Sequence, residues 1–198
     1  MTATPELLGL IERTRSGDMA AFRALFERYA KRVLNFGFRM TGSREAAEEI
    51  VQETFVAVWK GLGGLNDPDR FEPWLFMIAR NFVYQAHRKD RAGLVSLDAV
   101  GEDGEPAVKV PDRGVTPEAW CEQSELQAAA MEAIASLEPK YREVFVLAVL
   151  EGYSYKEVAG MVQRKVPSVK TDIHRARLKI REKLGPFLAG GESDEPGV

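Results

Sequence analysis

Cysteine is nearly absent from this 198-residue chain: Cys121 stands alone, so no intrachain disulfide can staple the fold. Histidine is almost as scarce, and His87 and His174 form no sequence cluster from which a zinc site could be built. No apolar run approaches the roughly 20 residues that a membrane-spanning helix requires. The opening MTATPELLGLIERTRSGD lacks a basic stretch followed by an apolar one, so it does not read as a secretory signal, and a cytoplasmic location is expected. Positive charge is not in excess either. Lys and Arg number 27 against 30 Asp and Glu, a net charge of −3, which argues against a general nucleic-acid coat protein. Alternation of the β type is missing throughout, which leaves an all-α chain, and a 45% hydrophobic content is enough to bury a core.

The placement of charge says more than its total. Between Arg164 and Lys183 eight basic residues face only Asp172 and Glu182. Just before them, Ser154 and Glu157 stand in the S-x-x-E spacing in which each side chain satisfies a free N–H at a helix start. Val158, Ala159 and Val162 give that first helix an apolar stripe. Pro167 fits a first helical turn, and Val169, Ile173, Ala176, Ile180 and Leu184 then recur at helical spacing. Together these make a helix-turn-helix whose second helix packs on one side and presents cations on the other, a face suited to a phosphate backbone.

The remainder divides at a break in composition. Between Gly101 and Glu125 seven acids face Lys109 and Arg113, with prolines at 106, 111 and 117, which reads as a flexible acidic linker. Two small helical domains are expected, at 6–92 and 122–188, with the linker at 93–121 and a disordered tail at 189–198. In the first, Phe22, Leu25, Phe26, Tyr29, Val33, Phe36 and Gly37 trace one amphipathic helix that stops at Gly42. Ser43 caps the next, whose buried side is read as Ala47, Ile50, Val51, Phe55, Val58 and Trp59. Its other side carries Glu45, Glu48, Glu49, Gln52 and Glu53, a surface for a basic partner. After Trp59 the glycine-rich KGLGGLNDPDRF reads as a functional surface loop. A third helix follows, with Trp74, Leu75, Ile78, Phe82 and Val83 read as core and a basic far end at Arg80, His87, Arg88, Lys89 and Arg91.

Three ordered segments resemble bacterial RNA polymerase sigma factors of the small, extracytoplasmic-function (ECF) type: ALFERYAKRVLNFGFRMTGSREAAEEIVQETFVAVWK, FEPWLFMIARNFVYQAHRK, and LEPKYREVFVLAVLEGYSYKEVAGMV with VPSVKTDIHRARLKIREKL. The resemblance implies a region 2 helical bundle over the first domain and a region 4 helix-turn-helix over the second. It implies polymerase binding, on the largest-subunit clamp helices and the flap, with Glu48, Glu49, Gln52 and Glu53 on the polymerase-facing helix. It implies −10 DNA melting at Asn66, Asp67 and Arg70, with Arg80, Asn81, Gln85, Arg88 and Lys89 near the junction of duplex and single strand. In the second domain Ser168, Lys170, Thr171, His174 and Arg175 match the −35 reading positions, while Lys165, Arg177 and Lys179 suit phosphates. An anti-sigma factor is the further partner implied; no catalytic residue, metal or cofactor is.

The chain departs from the family pattern at three places. The usual turn of glycine, apolar residue and small capping hydroxyl is here Gln163, Arg164 and Lys165, so the cap is missing. Asp172 stands among cations, where it either repels the backbone of DNA, reads a base by accepting from cytosine N4, or pairs with a neighbour; repulsion or an internal pair with Arg175 is expected. Ala46 replaces a common acid. Two alternative classes are a helix-turn-helix activator or repressor acting on duplex DNA without promoter opening, and a metal-dependent hydrolase built on Glu45 to Glu53. The latter would need ligands converging from facing helices.

Overall fold

The computed structural model describes residues 3–93 and 125–189. Most of the expected linker at 93–121, with Cys121, and almost all of the expected tail lie outside the described residues. Among those described there are eight α-helices and no strand: α1 Pro5–Arg15, α2 Met19–Thr41, α3 Arg44–Gly61, α4 Phe71–Gly93, α5 Glu125–Ala135, α6 Pro139–Phe145, α7 Tyr155–Met161 and α8 Val166–Ala189. The chain is therefore all-α, in two helical regions.

Local chemistry sets the ends of these helices. Asp18 caps α2 by accepting from the backbone N–H groups of Ala20 and Ala21 at 2.8 and 3.1 Å. Gly42 closes α2 in the left-handed conformation, φ 75°, and Ser43 Oγ at once caps α3 by accepting from Ala46 N at 3.1 Å. Antiparallel α2 and α3 then cross closely because Gly37 has no side chain: a Cβ there would lie 3.2 Å from Ala47 Cα. Leu25, Tyr29, Val33, Phe36 and Met40 on α2 meet Ile50, Phe55 and Val58 on α3 and Phe71, Leu75, Phe76 and Ala79 on α4 in one core. Trp59 departs from the expected burial: it is 39% exposed, its ring set edge-on against Phe22 at the margin of that core. Trp74, Ile78 and Phe82 likewise pack against the core partly buried, while Phe71, Leu75, Phe76 and Ala79 are fully buried residues of α4.

The loop between α3 and α4 consists of two short 3-10 turns, Leu62–Gly64 and Pro68–Arg70. Arg15 of α1 fastens it by donating to the carbonyls of Leu62 and Leu65. Asp67 caps the second turn, accepting from Asp69 N at 3.1 Å.

In the second region α8 packs on α5, α6 and α7. The capping box is formed as expected, with Ser154 Oγ accepting from Glu157 N and the Glu157 carboxylate accepting from Ser154 N at 2.8 Å. Val169, Ile173 and Ala176 are buried, and Ile180 packs at the rim. A π-turn, Val146–Leu150, followed by Gly152 at φ 80°, bends the chain between α6 and α7. That bend directs Glu151 and Tyr153 out of their own region and toward the first one. Tyr153 packs on Phe76 at 5.6 Å between ring centres, and the carboxylate of Glu151 lies between Arg32 at 3.3 Å and Arg39 at 3.2 Å. The two regions are thus packed on one another.

Two departures in the helix-turn-helix have structural outcomes. Gln163 takes the left-handed conformation usually given to glycine, φ 54°, and Arg164 N closes the end of α7 on Ala159 O at 2.9 Å. Asp172 is 6% exposed and pairs with Arg164, not with Arg175. Its position, three residues after Val169 and one before Ile173, turns it inward, so neither repulsion of DNA nor base reading is its task. The turn arginine and the helix carboxylate hold the two helices at their angle.

Left-handed backbone costs a non-glycine residue about 1–2 kcal/mol, part of which a glycine returns as extra freedom of the unfolded chain. Urea unfolding is expected to rank Gln163→Gly at or above the parent and Gln163→Val below it by about 1 kcal/mol, since β-branching sharpens the clash. Asp172→Ala leaves Arg164 half-sheltered without its partner and should cost about 3 kcal/mol. An unchanged midpoint for Asp172→Ala would contradict the buried pair.

Candidate polymerase and nucleic-acid surfaces

On α8 the buried stripe fixes what remains outside. Lys165 immediately before the helix, and Ser168, Lys170, Thr171, His174, Arg175, Arg177 and Lys179 along it, are all exposed. Not all of these cations are equally available. Arg175 donates to Tyr141 Oη at 3.2 Å, and Lys179 pairs with Glu138 at 3.1 Å while lying 5.3 Å over the Tyr141 ring. Hydrogen bonds from Lys179 and Lys140 hold the Glu138 carboxyl below its usual range. The start of α6 therefore orients Arg175 and Lys179. Thr171 Oγ1 donates back to Pro167 O at 3.0 Å, a bond within the first turns of α8.

On α3 the residues Glu48, Glu49, Gln52 and Glu53 are all exposed. Glu48 is engaged by Arg44 at 2.8 Å one turn earlier. The same helical row continues beyond Glu53 through Val56, 43% exposed, and Trp59. Charge at one end of the row and apolar surface at the other form a single strip. The sequence contains the signal for it, because Glu49, Gln52, Val56 and Trp59 are spaced three, four and three apart, although the apolar character of Trp59 also fits the core side.

The third set splits in two. Asn66, Asp67 and Arg70 are exposed on the loop, Asp67 acting also as the cap described above. Arg80, Asn81, Gln85 and Arg88 come together in a shallow concavity on α4 that Tyr84 also lines, with Lys89 exposed beside it. The loop lies at the N-terminal end of α4, about 15 Å along the axis from Arg80 at 1.5 Å per residue. Tyr84 was not foreseen. Its ring lies 4.8 Å from the Arg80 guanidinium, and burial, followed by the charge of Glu143, pushes its phenol above the usual range. Glu143 belongs to α6 and is 2% exposed; it accepts from Arg80 Nε and, at 3.0 Å, from Tyr84 Oη.

The carboxylates of α3 share one helix, and among the described residues no group of three or more His, Cys, Asp or Glu is placed to hold a metal ion.

Comparison with known proteins agrees with the helical order. The Sigma-70 region 2 model matches residues 25–93 and the Sigma-70 region 4 model residues 127–180. The chain is 34% identical over 176 residues to the RNA polymerase sigma factor CarQ of Myxococcus xanthus, covering 88% of this chain and 95% of that protein. It is 33% identical over 172 residues to the ECF RNA polymerase sigma factor SigE of Mycolicibacterium smegmatis, covering 85% of this chain and spanning 65% of that relative's length. Among solved structures, CnrH in complex with the cytosolic domain of CnrY is similar at a TM-score of 0.60 and 27% identity, with 93% of this chain and 97% of that one covered. The two helical regions thus match the two sigma-70 regions in order, and the chain belongs to the sigma-70 family as an ECF RNA polymerase sigma factor.

Proposed function

We propose that the chain binds core RNA polymerase through α3, opens promoter DNA at the −10 element with the loop and α4, and reads the −35 element with α8. Residues 6–92 carry the first two tasks and residues 122–188 the third, joined by 93–121. The observation that supports this most strongly is the division of exposure on α8, where every matched reading position faces outward and the one internal acid, Asp172, faces inward. Ser168, Lys170, Thr171, His174 and Arg175 lie toward the N-terminal half of the helix, the part that enters a major groove in helix-turn-helix proteins. Lys165, Arg177 and Lys179 meet phosphates, supplying affinity without sequence discrimination.

On α3, Glu49, Gln52 and Glu53 orient a basic polymerase surface while Val56 and Trp59 supply apolar contact area; buried aromatic anchors carry most of the energy of such interfaces, and rim charges mainly set approach. Asn66 takes the edge of a base that has left the stack, and Arg80, Asn81, Gln85, Arg88 and Lys89 guide the strand beside it. The work is binding and melting, with no covalent step, and it places the protein in the bacterial cytoplasm. No described helix is long and apolar enough to cross a membrane. An anti-sigma factor is proposed as the regulatory partner; CnrH, a similar solved protein, is in complex with the cytosolic domain of CnrY.

Charge reversal at Glu49→Lys with Glu53→Lys should weaken competition for core polymerase about tenfold while leaving stability unchanged, since both side chains are exposed. Equal competition would remove the polymerase role of α3. For the loop, Asn66→Ala should slow the appearance of permanganate-reactive thymines in the −10 region more than it weakens the closed complex, because the lost contact exists only after the base is extruded. Reactivity developing at the parent rate would contradict the loop's role.

A further inference from the structure

The loop that follows α3 has little stiffness of its own. Gly61, Gly63 and Gly64 crowd its first turn, and glycine loses more freedom on being ordered than any other residue. Between Gly61 and Phe71 the buried side chains are Leu62 and Leu65 alone. Order is imposed from outside. Arg15, the last residue of α1, donates from Nε to Leu62 O at 3.3 Å and from Nη2 to Leu65 O, so that one edge of the guanidinium spans both ends of the turn. Its remaining nitrogen, Nη1, donates to Glu12 Oε1 at 2.7 Å; every nitrogen of the group is thus engaged within the protein, and the side chain is 22% exposed. Helix α1 is itself fixed by buried Leu7, Ile11 and Thr14. The Leu65 carbonyl and the Asn66 N–H belong to one planar peptide unit, so a donor held on Leu65 O sets the direction in which Asn66 leaves the turn. Past Asn66 the chain is held again, by the Asp67 cap and by Asp69 Oδ1 accepting from Ala3 N at 2.8 Å.

We propose that Arg15 is a positioning residue for −10 recognition: it makes no contact with DNA and holds Asn66 in the geometry that receives the extruded base. This rests on the reading of Asn66 as the base-contacting residue of the loop. An unpinned loop would have to be ordered at the moment of base capture, and that cost would fall on melting; with the pin in place it is met during folding. Lysine at position 15 keeps the charge but loses the two-pronged edge that reaches both carbonyls. Alanine at position 64 acts on the same quantity by another route. A Cβ there meets nothing within 4 Å and the backbone is not left-handed, so the substitution narrows the conformations of an unpinned turn without strain.

The test uses holoenzyme assembled from the full-length chain and core RNA polymerase, and measures closed-complex affinity separately from the rate at which −10 thymines become permanganate-reactive. Arg15→Ala and Arg15→Lys are each expected to slow opening by about threefold to tenfold, with closed-complex affinity and competition for core unchanged. Because Arg15 acts through Asn66, Arg15→Ala should add nothing in an Asn66→Ala background. Gly64→Ala should return part of the rate lost by Arg15→Ala while leaving the pinned parent unchanged. Parent-like opening with Arg15→Ala overturns the proposal, as does parent-like opening with Arg15→Lys, which would mean that a cation suffices. Full additivity with Asn66→Ala, or no recovery with Gly64→Ala, overturns it too. Should Arg15→Ala fail to fold by circular dichroism, Arg15→Lys carries the same two combinations. Opening at the parent rate by Asn66→Ala alone would instead bring down the reading of the loop, whereas a slow Asn66→Ala beside a parent-like Arg15→Ala brings down the positioning role only.

Discussion

Helix α2 carries two incompatible demands on one cylinder. Along one side Leu25, Tyr29, Val33, Phe36 and Met40 must be dry, and they take positions at the centre of the first region's core. Along another row Arg32 and Arg39, seven residues apart and so on nearly the same face, meet a carboxylate from the second region. Glu72 joins that row, pairing with Arg32 at 3.0 Å and accepting from Tyr29 Oη at 2.8 Å, which ties the start of α4 to the same place. The position of α4, and so of the concavity it bears, follows from how α2 satisfies both sides. The second region docks where it does because α2 leaves two cations there that only an acid can neutralise.

Much of this was legible in the chain because it depends on neighbours in sequence. The cap at Ser43, the glycine stop at Gly42 and the Ser154–Glu157 box are local hydrogen bonds, and all three formed. The exposure of the α8 reading positions followed from the period of Val169, Ile173 and Ala176. What escaped depends on residues far apart. Asp172 could not be assigned to Arg164 by helical spacing, because Arg164 lies before the helix, and the i+3 neighbour Arg175 was the nearer candidate. Trp59 fell on the boundary between faces, where period alone does not decide. Glu143 looked like any helix acid; its burial comes from α4, 59 and 63 residues away at Tyr84 and Arg80.

The chemistry distributes specificity and strength across separate surfaces. A protein with net charge −3 gains affinity for DNA only by concentrating its cations, and α8 with its preceding turn is where they are concentrated. The acids go elsewhere, to α3, where they favour a basic protein surface and disfavour DNA. Such segregation suits a protein that must meet polymerase and promoter on different faces, and it explains how a net negative chain coexists with a strongly cationic helix.

The account stands or falls on promoter opening. Purified chain, core RNA polymerase and a promoter bearing −35 and −10 elements chosen by in vitro selection would be probed with permanganate. Thymines of the −10 region should become reactive only when chain and core are both present, and run-off transcripts should start a fixed distance downstream. Sequence-specific binding of the chain alone to intact duplex, with no reactive thymines and no transcript on adding core, would instead identify a duplex-binding regulator and contradict the assignment of melting to the first region.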